Sequence, residues 1–180
     1  MQTMNIRITT VTDNVAANPE CRTEWGFAAV AEVGEMKLLF DTGASGDALM
    51  HNMETLGFSP DDIGAIVISH DHWDHTGGLD AFLSARRTVE GLPLYLPAGF
   101  DSAPIATHAV RAVESERWER IAPGVLSTGT LGADHIPEQA LVVQASDGVS
   151  IVTGCAHPGI SEIVETVVDY CGEPLRLVVG

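Results

Sequence analysis

Apolar positions along the chain form short runs bounded by turn residues, and these alternate with longer stretches whose apolar residues recur at helical spacing. Runs of the first kind predict strands at residues 6–11, 25–32, 36–40, 63–68, 92–97, 125–128, 140–145, 149–153 and 175–179. Stretches of the second kind predict helices at residues 48–56, 79–87 and 160–170, and the interleaved charges of residues 109–120 predict a further, polar helix. The alternation of strands with helices predicts a mixed α/β fold.

A single domain is expected over residues 1–180, because no internal repeat, low-complexity tract or long linker divides the chain. No apolar run approaches the ~20 residues of a membrane helix. The first residues lack the basic start and apolar core of a secretory signal. The three cysteines, Cys21, Cys155 and Cys171, are scattered and odd in number, which predicts reduced thiols and a cytoplasmic location.

The net charge of -16 narrows the choice of partner. Lys37 is the one lysine, and the arginines between residues 109 and 120 are interleaved with glutamates, so no basic patch is expected. Nucleic acid is bound mainly through lysine and arginine. The composition therefore predicts a small-molecule substrate, with no nucleic-acid or membrane partner, and leaves the oligomeric state open.

Metal-ligand side chains are densest in the run Ser-His-Asp-His-Trp-Asp-His at residues 69–75. His70 and His72 are two apart, so in extended backbone they project to the same side. Asp74 and His75 follow after a turn and can point at a second position. Imidazole and carboxylate together suit Zn²⁺, Mn²⁺ or Fe²⁺. The run begins where a predicted strand ends, and it predicts two ligand pairs for two neighbouring metals.

Further candidates lie elsewhere in the chain, each with an alternative. His157 follows a predicted buried strand and is a candidate metal ligand, or else a core histidine bonded to backbone. Cys155 could point towards the same site as His157 and act as a ligand or reactive group, or it could be a small buried cysteine. Asp134 and His135 could enter the same cleft or lie in a plain loop. Asp41, after an apolar strand, could orient a ligand imidazole or simply close an Asp-Thr-Gly turn.

The run at residues 70–75 resembles the signature of the metallo-β-lactamase superfamily, His-x-His-x-Asp-His. The Asp-Thr-Gly turn at residues 41–43 and the Cys-Ala-His-Pro-Gly loop at residues 155–159 are similar to one branch, the dihydropterin-type synthases linked to methanopterin biosynthesis. The resemblance covers nearly the whole chain. It implies an α/β fold of the four-layer αββα sandwich type.

The resemblance also implies a truncated C-terminus. The family usually closes its second metal site with a histidine in a Gly-Gly-Phe-His-type turn, followed by a terminal helix. Residues 177–180 stand where that turn should begin, so the sandwich is expected to lack its terminal elements. We expect one tight metal, held by His70, His72 and His157, and a weak or empty second position at Asp74 and His75.

The function predicted from these features is metal-dependent hydrolysis. A hydroxide bound to one or two Zn²⁺ ions, or to Mn²⁺ or Fe²⁺, would attack an ester, lactone or phosphoester of a small molecule. Asp74 is the candidate catalytic residue, because it would orient the attacking water. The alternatives are a dihydropterin-linked synthase-like enzyme and a non-catalytic metal-binding relative with an incomplete second site.

Overall fold

A computed structural model describes residues 5–132 and 136–180, which contain two β-sheets. The six strands of the first sheet lie in chain order: β1 (Ile6–Thr12), β2 (Ala28–Val33), β3 (Met36–Phe40), β4 (Ala65–Val67), β5 (Pro93–Pro97) and β6 (Arg111–Ser115). The five strands of the second sheet are β7 (Glu119–Ala122), β8 (Val125–Ser127), β9 (Leu141–Ala145), β10 (Gly148–Val152) and β11 (Leu175–Val179), in the order β11-β10-β9-β8-β7. β3 to β6 pair in parallel, as do β10 and β11, whereas the other neighbours are antiparallel.

The α-helices are α1 (Gly46–Thr55), α2 (Trp73–Thr76), α3 (Leu79–Ala85) and α4 (Ile160–Cys171), and short 3-10 turns lie at Pro60–Asp62 and Ala103–Ile105. Ser45 caps α1, because its side chain accepts a hydrogen bond from the backbone N–H of Ala48. Gly172 ends α4 in the left-handed conformation that glycine adopts without strain. No described helix is long and apolar enough to cross a membrane.

Three apolar clusters define four layers. The first joins α1 and α3 to the outer face of the first sheet through residues such as Leu49, Phe82, Leu39 and Ile66. The second lies between the sheets and includes Leu38, Phe40, Val67, Leu141 and Val143. The third joins α4 to the outer face of the second sheet and includes Ile163, Val167, Val142 and Ile151. Neighbouring strand residues belong to different clusters, as period-2 alternation requires, and the predicted αββα sandwich is confirmed.

One predicted element was wrong, because residues 109–120 form no helix. Residues 111–115 are β6, which pairs with β5, and residues 119–122 are β7, which pairs with β8. Both strands lie at sheet edges and expose polar side chains, so their sequence lacks the apolar alternation of an inner strand. The arginines and glutamates there lie on two edge strands and their connection, not on one helix face.

Strand ends bring the candidate site together. Asp41 follows β3, Ser69 and His70 follow β4 closely, and Gly154 begins the loop after β10. A Cβ atom at Gly154 would overlap the hydroxyl of Ser69, so the loops leaving the two sheets meet where only glycine fits. The site therefore lies at one end of the sandwich, between the sheets.

Candidate metal centre

Three imidazoles converge at this end of the sandwich. Nε2 of His70 lies 3.1 Å from Nδ1 of His72. The ring of His157 is centred 4.7 Å from that of His70 and 5.0 Å from that of His72, and one nitrogen of each ring lies within 4.8 Å of the others. Nε2 of His157 is buried and has no hydrogen-bond partner in the part of the chain that the structure describes. Such an orphaned nitrogen beside two others fits a cation that prefers three imidazole ligands.

Ser69 orients the His70 ring. Its hydroxyl donates to Oδ2 of Asp41 at 2.6 Å, and Nδ1 of His70 lies 2.8 Å from the same hydroxyl oxygen. Because the hydroxyl proton is already committed to Asp41, the oxygen accepts from the Nδ1–H of His70. Nε2 is therefore left with its lone pair facing the other two histidines. Burial and the neighbouring histidines lower the pKa of His70, which keeps this ring neutral.

Asp41 is fully buried and holds a second imidazole. Its carboxylate accepts from the backbone N–H of Ser69 at 2.6 Å and lies 2.7 Å from Nδ1 of His75. Burial raises the pKa of Asp41, although its contacts with His75 and Ser69 oppose that rise. The backbone of Asp41 is left-handed, with φ of 55°, a conformation that aspartate tolerates better than most residues. Asp41 therefore turns Nε2 of His75 towards the site.

A second group of ligand-type atoms lies around that nitrogen. Sγ of Cys155 is 3.3 Å from Nε2 of His75, and Oδ2 of Asp74 is 3.7 Å from the same nitrogen. Burial lowers the pKa of His75, but the hydrogen bond and charge of Asp41 outweigh it, so the net shift is upward. Cys155 is exposed as a residue, yet partial desolvation of its thiol, followed by the charges of nearby carboxylates, raises its pKa to about 11. Thiol, imidazole and carboxylate together form a mixed donor set beside the three histidines.

Glu138 is a buried residue that the sequence analysis did not single out. It stands just before β9, and its carboxylate accepts backbone N–H groups of the loop that carries Cys155 and His157. The one signal in the sequence is a charged residue shortly before an apolar run, from which Gln139 separates it. That signal is weak, because strands of soluble proteins often begin with a charged residue.

The structure thus brings together His70, His72, Asp74, His75, Asp41, Cys155 and His157. His135 and Asp134, the other loop candidates, lie outside the described residues.

The fold and this cluster define a class of protein: an αββα sandwich with ligand-type side chains at the ends of its sheets. Residues 26–167 match the Metallo-beta-lactamase superfamily, and the chain belongs to that superfamily, as the sequence predicted.

The individual proteins that this chain is similar to are named for several different activities. A 7,8-dihydropterin-6-methyl-4-(beta-D-ribofuranosyl)-aminobenzene-5'-phosphate synthase of Methanocaldococcus jannaschii is 24% identical, with 93% of this chain and 74% of the synthase covered. The N-acyl homoserine lactonase AiiB of Agrobacterium fabrum is 27% identical over 82% of this chain and 59% of the lactonase. A ribonuclease of Thermus thermophilus is 26% identical over 71% of this chain, which spans 34% of that enzyme.

Among solved structures, Tm1679, described as a metal-dependent hydrolase of the beta-lactamase superfamily, superposes with a TM-score of 0.78 and 25% identity. The superposition covers 98% of this chain and 76% of Tm1679. The alignment with the Methanocaldococcus synthase confirms the similarity to a dihydropterin-type synthase that the sequence indicated. Other relatives of this chain are named for action on a small molecule or on RNA.

Proposed function

We propose that this chain is a metal-dependent hydrolase that acts on an ester or lactone of a small, uncharged molecule. The observation that carries the proposal is the convergence of His70, His72 and His157, with Nε2 of His157 buried and without a partner among the described residues. Membership of the superfamily and the similarity to a lactonase support it.

In this proposal His70, His72 and His157 hold the tighter metal. A set of three imidazoles suits Zn²⁺, and Mn²⁺ or Fe²⁺ is compatible with it. Asp74 and His75 hold a weaker second ion, with Cys155 as their third ligand. A bound divalent ion supplies Lewis acidity, which activates water near neutral pH and polarises a substrate oxygen.

The protein's own groups position the reactants. Asp74 is almost fully buried, with 7% of its surface exposed, and its carboxylate lies 3.7 Å from Nε2 of His75. In our proposal it accepts a hydrogen bond from the attacking water and so fixes the direction of attack. Asp41 holds the Nδ1–H of His75 and, through Ser69, that of His70, so these rings keep the tautomer that a ligand needs.

A cavity of about 250 Å³ beside His72 supports a small uncharged substrate. Its walls include Pro97, Phe100 and Ile136, with Asp71 as its acidic group. None of the described residues that line it is lysine or arginine. Away from the proposed metals, phosphoryl oxygens are usually bound by such cations, so a neutral ester or lactone fits this cavity better than a phosphoester. The net charge of -16 likewise argues against nucleic acid.

The test is hydrolysis of a matched panel with and without added Zn²⁺ or Mn²⁺. The panel contains p-nitrophenyl butyrate, a γ-lactone with an alkyl substituent, bis-p-nitrophenyl phosphate and a short RNA. We expect metal-dependent turnover of the ester or the lactone, at a kcat/KM above that for the phosphodiester and the RNA. Absence of turnover of ester and lactone by metal-loaded protein would contradict the proposal.

A second candidate function is a reaction of the dihydropterin-linked synthase type. It is favoured by the alignment with the Methanocaldococcus synthase, which spans 93% of this chain. Product formation from a pterin and an aminobenzoate-ribose donor would support it over hydrolysis. Stoichiometric metal binding without turnover in either assay would favour a third alternative, a non-catalytic metal-binding relative.

We also propose one domain over residues 1–180, supported by the three apolar clusters that share the two sheets.

A reducing compartment such as the cytoplasm is proposed as its location, supported by the free thiols of Cys21, Cys155 and Cys171. Mass spectrometry of protein alkylated without prior reduction tests the thiols, and three modified cysteines are expected.

A further inference from the structure

Glu138 lies where it can control the loop that carries Cys155 and His157. Its Oε1 accepts from the side chain of Thr153 at 3.1 Å, from the N–H of Gly154 at 3.0 Å and from the N–H of Ala156 at 3.1 Å. Its Oε2 accepts from the N–H of His157 at 2.8 Å. With only 1% of its surface exposed, this carboxylate makes its hydrogen bonds to the loop inside the protein.

The loop that carries His157 contains a left-handed turn that needs an acceptor such as the Glu138 carboxylate. Ala156 has φ of 55°, in the left-handed region that a residue with a Cβ atom seldom adopts. Such a turn points successive N–H groups at one place and forms a concave anion-binding nest. Here the anion is the Glu138 side chain itself, so the turn that presents His157 depends on an acceptor from the segment that precedes β9.

The neighbouring residue, Gln139, contacts the other ligand loop. Its side-chain Nε2 donates to the carbonyl of Ile68 at 2.8 Å, and its backbone N–H donates to the carbonyl of Ser69 at 2.9 Å. Glu138 itself pairs through backbone hydrogen bonds with Leu131. Two consecutive residues therefore connect the loop before His70 with the loop that carries His157.

We propose that Glu138 is a positioning residue for metal binding. It fixes His157, and with it Cys155, at the distance from His70 and His72 that a shared metal requires. The carboxylate acts through the loop backbone and does not itself bind the metal. This inference rests on the metal centre of the proposed function, but not on which substrate that centre hydrolyses.

The test is a competition titration of Zn²⁺ against a chelator of known affinity, using the full chain and three variants. Glu138→Gln keeps the size of the side chain but places an NH₂ donor against loop N–H groups. Glu138→Asp keeps the charge but withdraws it by one methylene. Glu165→Gln, on the exposed face of α4, removes the same charge away from the site and serves as the control.

We expect Glu138→Gln to lose about 10–100-fold in zinc affinity, the range typical of lost partners of metal ligands. Glu138→Asp should lose less, and Glu165→Gln should bind like the wild type. The visible spectrum of the Co²⁺-saturated protein should change in Glu138→Gln, because ligand geometry changes even when the metal is bound. A merely structural role would lower the melting temperature without altering that spectrum.

Wild-type affinity and spectrum in a folded Glu138→Gln variant would overturn the inference. If that variant does not fold, wild-type affinity in Glu138→Asp would overturn it, and a reduced affinity there would support it. Absence of zinc binding by the wild-type chain would overturn it together with the proposed hydrolysis. Reduced affinity in both Glu138 variants, with no ester or lactone turnover by the wild type, would uphold the inference and reject the proposed hydrolysis.

Discussion

The two loops that carry the proposed metal ligands are fixed by buried carboxylates in different ways. In the first loop, which begins at Ser69 and runs into α2, Asp41 contacts Nδ1 of His75 directly and reaches His70 through the hydroxyl of Ser69. In the second loop, residues 154–157, Glu138 contacts backbone N–H groups and the side chain of Thr153, which precedes the loop. One carboxylate therefore sets the tautomer of ligand rings, and the other sets the path of the chain.

The difference teaches that a metal centre has two separable structural requirements. Each imidazole must present a lone pair, which depends on what its other nitrogen contacts. The loops must also approach each other closely, which depends on backbone contacts between strands. Variants of each kind should therefore produce different losses, and the four predictions that follow are ordered by the size of the expected effect.

The largest effect is expected from removing a ligand of the first loop. His72→Ala or Asp74→Ala should abolish both turnover and the binding of the metal that each residue holds, because each variant removes one of the three donors proposed for its ion. Metal content after dialysis and the rate of ester hydrolysis measure the effect together. Trp73→Phe, between these ligands and largely exposed, is the matched control and should retain its metal. Full activity in either alanine variant would contradict the proposed mechanism.

A smaller effect is expected from Asp41→Asn, which keeps the size of the side chain but makes it neutral and adds an N–H donor. Since the carboxylate accepts from Ser69 and contacts Nδ1 of His75, zinc affinity should fall by about 10–100-fold. Competition titration measures the loss. Asp47→Asn, an exposed aspartate that pairs with Arg22, should leave the affinity unchanged. Equal affinities in the two variants would show that tautomer control is unnecessary here.

Cys155→Ser should distinguish the two metal positions. The serine hydroxyl is a poorer ligand than a thiolate, so the weaker ion should be lost while the tighter ion at the histidines is kept. At saturating zinc, the bound metal should fall from two equivalents to one. Loss of both ions would mean that Cys155 supports the histidine site instead, and two retained ions would remove it from the ligand set.

The smallest effect concerns the pH dependence of the metal-free protein. The pKa of His70 is lowered by burial and by neighbouring histidines, whereas the unfolded chain protonates this residue near its ordinary value of 6.5. Below that pH the unfolded state binds a proton that the folded state does not, so stability falls as pH falls, by at most ~1.4 kcal/mol per pH unit. The raised pKa of His75 has the opposite effect on stability. Protonated His75 stabilises the folded state, and this stabilisation is lost as the pH rises above 6.5.

Urea unfolding in the presence of a chelator, between about pH 5 and 8, measures this dependence. His70→Gln has no proton to exchange at this position. The free energy of unfolding of the wild type, relative to that of His70→Gln, should therefore rise from pH 5 to 6.5. A difference that stays constant over this interval would contradict the buried, neutral state of His70.

Much of this picture could be predicted from the sequence, and the reasons for the failures are physical. The αββα fold is confirmed. Apolar runs such as that of β4 predicted a mixed α/β fold, and the resemblance to the superfamily implied its four layers. The helix expected at residues 109–120 was wrong, because edge strands lack the pattern that marks inner ones. The first ligand loop was conspicuous because its donors are contiguous in the chain.

The second loop was harder to predict. Two candidate ligands, Cys155 and His157, were identified, but whether they face His70 depends on how two sheets meet. Glu138 was missed because it is 19 residues from His157 and contacts the backbone of that residue. Backbone N–H groups occur at every non-proline residue, so a side chain that binds them leaves no pattern in the sequence.

The most direct test of the central claim is zinc-edge X-ray absorption on protein loaded with one equivalent of Zn²⁺. The three-histidine site predicts a first shell dominated by imidazole nitrogens at about 2.0–2.1 Å, with one imidazole lost in His157→Ala. A shell made only of oxygens, or an unchanged imidazole count in His157→Ala, would contradict the assignment of the metal to His70, His72 and His157.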